Sequence, residues 1–310
     1  MTSRDSYHIP VMLKETLDSF LIDKNGNYLD CTLGGGGHAK AILEIISDKG
    51  TLLGVDRDKE AIEQNASLLE RYKNFTVANI SFANVMRLDS IVFGLKFDGI
   101  LMDLGVSSHQ IDDPKRGFSY MNSGDLDMRM NDEDELSAYI VVNNYTEEQL
   151  KEIFYKYGEE KKSRYIARNI CNEREESPIK TTKELSDIIG RSVPYKNRIK
   201  TLSRIFQAIR IEVNNELGEI EDFLKVSLKI LKKHGRVAIM SYHSLEDRIV
   251  KRFINEMATG CTCPTDFPKC ICGKEPIVKK ITKKPIIATE EEIKENPRAR
   301  SAKLRVFELI

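Results

Sequence analysis

Short apolar runs alternate with amphipathic stretches over residues 28–105, a pattern typical of an α/β sheet. The apolar runs predict strands over 28–32, 51–55, 75–78 and 97–104. The stretches between them predict helices over 38–46 and 58–72, the second with Ile62, Ala66 and Leu69 on one face. The run at 97–104 is apolar enough for a central strand that is covered on both faces.

The periodicity changes at residue 112. From there to about residue 215 charges are frequent and apolar side chains recur at helical spacing, in stripes formed by Leu150, Ile153, Phe154 and Tyr157 and by Leu185, Ile188 and Ile189. The α/β pattern then resumes with helices predicted over 215–233 and 245–257 and strands over 236–240, 285–289 and 304–310. We therefore predict an α/β domain built from residues 1–111 and 216–310, interrupted by an all-helical domain at 112–215.

Composition and charge argue against three classes: a protein that is basic overall, a membrane-spanning protein and a secreted protein. The 310 residues include 48 Lys and Arg and 48 Asp and Glu, so the net charge is zero and any nucleic-acid surface must be local. No run approaches the roughly 20 apolar residues of a membrane span, and the first residues have no apolar core of a secretory signal. We expect a cytoplasmic protein that does not contact a membrane.

A run of four glycines follows the first predicted strand, in the segment Asp30-Cys-Thr-Leu-Gly-Gly-Gly-Gly-His38. Strand, glycine turn and helix together form the nucleotide-cradling unit of a doubly wound sheet. Gly34, Gly36 and Ala39 fit the dinucleotide fingerprint, and Asp56 supplies the acid that accepts from ribose hydroxyls. Asp30 would repel a pyrophosphate and suits a cationic ligand, which favours S-adenosylmethionine over a nicotinamide cofactor. A structural turn without a ligand is the remaining interpretation.

Polar residues follow the other predicted strands as well, at the edge where such sheets bind ligands. Phe82, after the third strand, is either an apolar plate for adenine or a core side chain. Asp103 ends the fourth strand, where an acid is costly unless it is used or paired. The loops 103–110 and 241–244 complete this edge.

Seven motifs in this order resemble the MraW/RsmH family of ribosomal RNA methyltransferases: the glycine segment, Asp103-Leu-Gly-Val-Ser-Ser108, Arg116-Gly-Phe-Ser-Tyr120, Leu126-Asp-Met-Arg-Met130, Phe206-Gln-Ala-Ile-Arg210, Tyr242-His-Ser-Leu-Glu-Asp-Arg248 and Asn296-Pro-Arg-Ala-Arg-Ser301. The resemblance implies an S-adenosylmethionine-dependent enzyme that methylates N4 of a cytidine in the decoding region of 16S ribosomal RNA. It implies a class I, Rossmann-like methyltransferase sheet with an inserted helical substrate domain.

By the same resemblance, the cofactor-binding residues are Gly36, Gly37, His38, Asp56, Phe82, Asp103 and Gln110. The resemblance also implies that the partner of this protein is 16S ribosomal RNA or the small ribosomal subunit. It is compatible with a homodimer. Two segments depart from the family pattern: His109 stands where proline is usual, and residues 199–204 replace a His-Pro-Ala type of segment.

Methyl transfer to a cytosine amine requires its delocalised electron pair to be aligned with the methyl donor. A hydrogen-bond acceptor on the amine would assist, and we assign this catalytic role to Asp103, which could instead serve the cofactor. His243 is either its partner or a polar residue at a helix start. Phe118 and Tyr120 are expected either to stack on the target base or to pack between the two predicted domains. The competing classes are a non-catalytic RNA-binding protein and a nicotinamide-dependent oxidoreductase.

Two further features have no place in this scheme. Cys261, Cys263, Cys270 and Cys272 form paired C-x-C motifs, compatible with zinc, with reduced thiols or with disulfides, and we assign no metal ligand from them. Basic residues that could contact RNA phosphates occur in two runs, Arg191, Lys196, Arg198, Lys200, Arg204 and Arg210, and Lys279, Lys280, Lys283 and Lys284. The alternative is a solvated face whose acids come from neighbouring segments.

Overall fold

The strands of the protein form one mixed sheet. The structure is a computed structural model that describes residues 10–92, 94–261, 263 and 272–310. The strands are β1 (Asn27–Asp30), β2 (Thr51–Asp56), β3 (Phe75–Asn79), β4 (Phe97–Asp103), β5 (Leu231–Ser241), β6 (Val278–Lys280), β7 (Ile286–Ile287) and β8 (Lys303–Leu309). Their order is β3-β2-β1-β4-β5-β8-β6, with β7 also paired to β8. The first five strands are parallel and β8 is antiparallel, which confirms the predicted fold class.

Helices alternate with the first four strands along the chain. A longer run of helices lies between β4 and β5 in the sequence. In chain order they are α1 (Leu13–Phe20), α2 (Gly37–Ile45), α3 (Lys59–Gln64), α4 (Ala66–Arg71), α5 (Asp89–Val92), α6 (Ser108–Asp112), α7 (Ala138–Asn144), α8 (Glu147–Lys156), α9 (Ser163–Glu176), α10 (Thr182–Arg191), α11 (Arg198–Asn214), α12 (Glu216–Ile230), α13 (Ser244–Ala258) and α14 (Glu290–Glu295). In the described part of the chain, none of them is long and apolar enough to cross a membrane.

The chain divides into two compact units. The first comprises Met1–Gly105 and Gly218–Ile310, and the second comprises Val106–Leu217. The predicted helical segment 112–215 lies within the second unit, whose described residues form helices and one isolated bridge, Asp125 to Thr181. Its role as a substrate domain stays a prediction.

The core of the first unit follows from the apolar runs in the sequence. Ile100, Leu101 and Met102 of β4 are fully buried, as expected for a central parallel strand. Tyr28 of β1 and Phe20 of α1 pack edge to face, with ring centroids 5.7 Å apart. The strand ends that carry the candidate site therefore extend from a buried apolar core.

Several predicted elements differ from those observed. The helix predicted over 58–72 divides into α3 and α4 at Asn65, because the Asn65 amide bonds two backbone carbonyls. The helix predicted over 215–233 ends at Ile230, since Leu231 already pairs with Phe97 of β4. His234, expected as a helix stop, lies within β5 with φ 65°, next to a shift in the register of this pair. Helix α1 and strand β6 were not predicted from the sequence.

Candidate active site

Three aspartates end three adjacent parallel strands at one edge of the sheet. Asp30 of β1 pairs with Gly54 of β2 and with Leu101 of β4. Asp56 and Asp103 each lie two residues further along these neighbouring strands. Because the carboxyl ends of parallel strands share one edge, the fold concentrates negative charge where such sheets bind ligands.

The glycine turn begins at this edge and is held from two sides. Gly34 and Gly36 have φ of 48° and 76°, a left-handed conformation that glycine adopts without strain. The Gly34 N–H donates to Asp56 Oδ2 at 2.9 Å, and the Asn65 amide donates to the Gly34 carbonyl at 2.9 Å. A Cβ at Gly36 would collide with the Asn65 side chain, whereas one at Gly35 would meet no atom within 4 Å in the described part of the chain. The turn thus has a fixed inner side and an open outer side.

Asp30 is a buried acid with incomplete hydrogen bonding. It is 1% exposed, and its Oδ1 accepts from the Thr32 N–H at 3.1 Å. Its Oδ2 has no hydrogen-bond partner among the described residues. Burial, reinforced by the charges of Asp103 and Asp56, raises the pKa of Asp30 to about 7. A positively charged ligand would offset both the free-energy cost of burying the charged carboxylate and its repulsion by Asp103 and Asp56.

Asp56 connects the turn to the end of β2. Oδ2 accepts from Gly34 and Oδ1 accepts from the Asp58 N–H, each at 2.9 Å. Burial raises the pKa of Asp56 to about 6 in spite of these two donors. Each oxygen keeps a second lone pair, so Asp56 can also accept from ribose hydroxyls, a role that stays a prediction.

Asp103 is not the isolated acid that its place in the sequence indicated. The Tyr242 hydroxyl donates to its Oδ1 at 2.7 Å, and the His38 Nδ1 lies 3.7 Å from its Oδ2. Burial raises the pKa of Asp103, and burial also lowers the pKa of His38. The Nε2 of His38 lies 3.2 Å from the Val11 carbonyl oxygen. Since a carbonyl only accepts, Nε2 carries the proton of the neutral ring and Nδ1 presents a lone pair towards Asp103.

The residues at this edge fit S-adenosylmethionine. That ligand carries an ammonium, a sulfonium and two ribose hydroxyls. Among the residues that the structure describes, Asp30 offers a buried carboxylate oxygen without a partner, Asp56 offers a second lone pair on each oxygen, and Gly35 borders open space. The side chains that end β1, β2 and β4 are all carboxylates, which would repel a pyrophosphate, in agreement with the sequence argument from Asp30.

The structure gives other predicted site residues additional roles. Phe82 begins a 3-10 helix, and its ring and that of Phe223 pack edge to face with centroids 5.5 Å apart, so a role as an adenine plate stays a prediction. Gln110, in the second unit, is 5% exposed and forms a capping box with Ser107 at the start of α6. Gly36 caps α2, and Gly37 is the first residue of that helix.

The aromatic and histidine candidates for base binding pack locally. Tyr120 contacts Phe206 edge to face at 5.6 Å, and Phe118 lies against the same core of the second unit. His243 caps α13 in a capping box with Glu246, the alternative that the sequence analysis kept open. Stacking by Phe118 or Tyr120 stays a prediction, and each ring already has protein contacts.

The basic run in the second unit is largely paired with acids. Its arginines form ion pairs with carboxylates of neighbouring elements: Arg191 with Glu173 at 2.8 Å, Arg198 with Asp187 at 3.2 Å, Arg204 with Glu160 at 3.4 Å and Arg210 with Glu216 at 2.7 Å. In the first unit, Lys279, Lys280, Lys283 and Lys284 are all exposed. The structure therefore favours the solvated-face interpretation for the arginines, and RNA contact by the lysine cluster stays a prediction.

Two residues that organise the site were not predicted from the sequence. Asn65 holds the glycine turn, and Tyr242 orients Asp103. Asparagine is a poor residue for a helix interior, so its place in the middle of the predicted helix 58–72 was a usable signal. Tyr242 belongs to a motif that had been noted after the fifth strand, but a contact to a residue 139 positions away leaves no local signal.

Comparisons with known proteins agree with this chemistry. The profile described as the MraW methylase family matches residues 5–310. A Clostridium botulinum protein named ribosomal RNA small subunit methyltransferase H is 53% identical over 304 residues, covering 96% of this chain and 97% of the relative. A Fusobacterium nucleatum protein of the same name is 48% identical over 307 residues, covering 99% and 98%.

Solved structures align at lower similarity. TrmN from Thermus thermophilus gives a TM-score of 0.43 at 11% identity and covers 96% of this chain and 48% of that chain. An rRNA methylase from Streptococcus thermophilus gives a TM-score of 0.39 at 10% identity and covers 96% and 93%.

Proposed function

This chain belongs to the MraW methylase family, and we propose that it transfers the methyl group of S-adenosylmethionine to N4 of a cytidine in the decoding region of 16S ribosomal RNA. The enzyme class and the methyl donor follow from family membership, which also argues against a nicotinamide oxidoreductase and a non-catalytic RNA-binding protein. The curated relatives are named for the small-subunit ribosomal RNA. The position of the methylated atom is the finer part of the proposal, and a cytoplasmic location goes with that substrate.

The observation that carries the proposal is the acidic strand edge beside the open glycine turn. Asp30, Asp56 and Asp103 converge there, and Asp30 keeps an oxygen without a hydrogen-bond partner among the described residues. When bound, S-adenosylmethionine supplies an electrophilic methyl group on a positively charged sulfur. Asp30 would neutralise the positive charge of this ligand, Asp56 would accept from its ribose, and the glycine turn would border its amino-acid part.

We assign to Asp103 the role of hydrogen-bond acceptor for the nucleophile, which is the amine of the target cytidine. The Oδ1 of Asp103 already accepts from the Tyr242 hydroxyl, and we take Oδ2 as the acceptor for an N–H of the target amine. Accepting that hydrogen bond localises the electron pair of the amine and takes up positive charge as it develops. A proton that moves to Oδ2 lies near the Nδ1 lone pair of neutral His38, which is 3.7 Å from Oδ2.

The test of this assignment is an Asp103→Asn substitution, measured at saturating S-adenosylmethionine and RNA. General-base assistance typically contributes about 10²- to 10⁴-fold, so kcat should fall within that range while RNA affinity is unchanged. Tyr242→Phe keeps the carboxylate but removes its positioning bond, and it should shift the pH profile of kcat. The matched control is Asp98→Asn on the same strand, an acid that bonds Asn27 and Lys232 at the opposite end of β4.

Two results separate the possible roles of Asp103. If only the Kd for S-adenosylmethionine rises and kcat at saturation is retained, Asp103 serves the cofactor and not the amine. If both constants match the wild-type protein, Asp103 has no part in the site. Mapping the product by mass spectrometry of RNA fragments tests the methylated atom independently.

RNA recognition is assigned to the exposed lysine cluster Lys279, Lys280, Lys283 and Lys284. Each cation that contacts a phosphate contributes about 0.9 to the slope of log affinity against log salt, so alanine at all four should flatten the slope by up to about 3.6. A variant with alanine at Arg198 and Arg204, which are both ion-paired, is the control and should change the slope much less. Equal slopes in the lysine variant and the wild-type protein would contradict this surface.

A further inference from the structure

We propose that Cys261, Cys263 and Cys272 bind a structural zinc ion, a site separate in purpose from methyl transfer. The Sγ atoms of these three cysteines all lie within 4.8 Å of one another. The sequence brings them together from both sides of a loop, since Cys261 and Cys263 follow α13 and Cys272 precedes β6. A further cysteine, Cys270, lies outside the described residues, and the proposal rests on the other three alone.

The spacing of the sulfur atoms matches a shared metal ligand shell. Cys261 Sγ and Cys272 Sγ are 3.8 Å apart. A covalent sulfur–sulfur bond is about 2.05 Å long, so these two atoms are not bonded to each other. In a tetrahedral zinc site with Zn–S distances of about 2.3 Å, two sulfur ligands are about 3.8 Å apart. The observed separation of the two thiols equals the one expected for two thiolates on one zinc ion, so zinc could bind with little movement of these sulfur atoms.

Soft thiolate ligands also select the metal. Sites rich in cysteine thiolate hold zinc, monovalent copper or iron–sulfur clusters and exclude magnesium and calcium. A zinc ion with three thiolates takes one more donor to complete its tetrahedron. Each thiol loses its proton on binding, and the doubly charged ion offsets two of the three negative charges that result.

The surrounding chain shows why a metal would be useful there. The base of the loop is held by the Ile277 N–H, which donates to the Met257 carbonyl at 2.8 Å, and by the end of β6 against α13. Above that base, residues 272–277 are exposed, so they bury little apolar surface that could fix their conformation. Short segments without a core are commonly stabilised by a metal or a disulfide. Zinc would join the two sides of the loop at Cys261 and Cys272.

The experiment is elemental analysis of the full chain purified without chelators and without a metal-binding tag. We expect about one zinc ion per chain in the wild-type protein, and loss of zinc in Cys261→Ser and Cys272→Ser. Cys171→Ser, which changes a cysteine of the second unit, is the matched control and should keep its zinc. Replacement of zinc by cobalt should give the intense visible and charge-transfer absorption of a tetrahedral thiolate site, and the serine variants should lack it.

A second measurement covers variants that fail to fold. The wild-type protein is stripped with a chelator and digested with a protease at limiting concentration, and cleavage between residues 258 and 277 is followed before and after zinc is added back. Added zinc should suppress that cleavage. Absence of zinc from the wild-type protein, zinc retained when Cys261 and Cys272 are both serine, iron with sulfide in its place, or a Cys261–Cys272 disulfide in the native protein would each overturn the proposal. None of these outcomes depends on methyl transfer.

Discussion

The buried carboxyl of Asp30 should make the ligand-free protein less stable as the pH rises. Its pKa is about 7 in the folded chain against an ordinary value of 3.8, because burial and the neighbouring Asp103 and Asp56 disfavour its charge. Between these two pH values the folded state holds a proton that the unfolded state has lost. The stabilisation is therefore complete below about pH 3.8 and is lost as the pH rises through about 7.

The size of the effect follows from the shift. A difference of about 3 pKa units corresponds to about 4 kcal/mol at 1.36 kcal/mol per unit. Asp30 is 1% exposed, so solvent screening takes little from this figure, which is an upper value because its acidic neighbours titrate with it. Roughly 2.5 kcal/mol of it falls between about pH 5 and about pH 8. Asp30→Asn removes the titrating group, and any cost of burying the amide is the same at both pH values.

The assay is urea unfolding of the cofactor-free protein at about pH 5 and about pH 8 for wild type, Asp30→Asn and the exposed control Asp48→Asn. Relative to wild type, Asp30→Asn should gain up to roughly 2.5 kcal/mol between the two pH values, whereas Asp48→Asn should gain almost nothing. If Asp30→Asn and wild type lose stability in parallel, the carboxyl is not held protonated by burial, and the reasoning from the acidic edge is wrong.

Three further predictions concern the same edge. Asn65→Ala loses amide bonds to two carbonyls and should cost about 1–3 kcal/mol of stability in urea unfolding, together with S-adenosylmethionine affinity; unchanged values in both assays would contradict a clamping role. Gly36→Ala should be unstable because of its positive φ, whereas Gly35→Ala should keep wild-type stability and lose cofactor affinity, since open space lies there for a ligand; calorimetry showing normal affinity in Gly35→Ala would place the ligand elsewhere. Affinity for S-adenosylmethionine should rise from about pH 5 to about pH 8, because Asp56 and Asp30 ionise in this range. The rise should be smaller for the demethylated product, since only the methyl donor has a charged sulfur. Identical pH dependence for the two ligands would argue against a carboxylate near the sulfur.

The sequence by itself determined the features that depend on neighbouring residues. Apolar runs of four to seven residues are sufficient to identify parallel core strands such as β1, β2 and β4, because both faces of such strands are buried. The glycine run then fixes a turn, and acids that follow a strand lie at one edge whenever the strands are parallel. For this reason Asp30, Asp56 and Asp103 could be placed together before any contact was known.

Only the tertiary structure decided the contacts between distant parts of the chain. Tyr242 reaches Asp103 across 139 positions, and Asn65 divides a predicted helix because its amide bonds Gly34, 31 positions away. Arg204 forms an ion pair with Glu160, 44 positions away in the sequence, and such a pairing cannot be seen in the run of basic residues itself. The protonation of Asp30 was equally out of reach, because a pKa depends on burial and on nearby charges that the fold brings together. Local patterning specifies which elements form and where their ends lie, whereas the pairing of side chains across elements depends on packing in three dimensions.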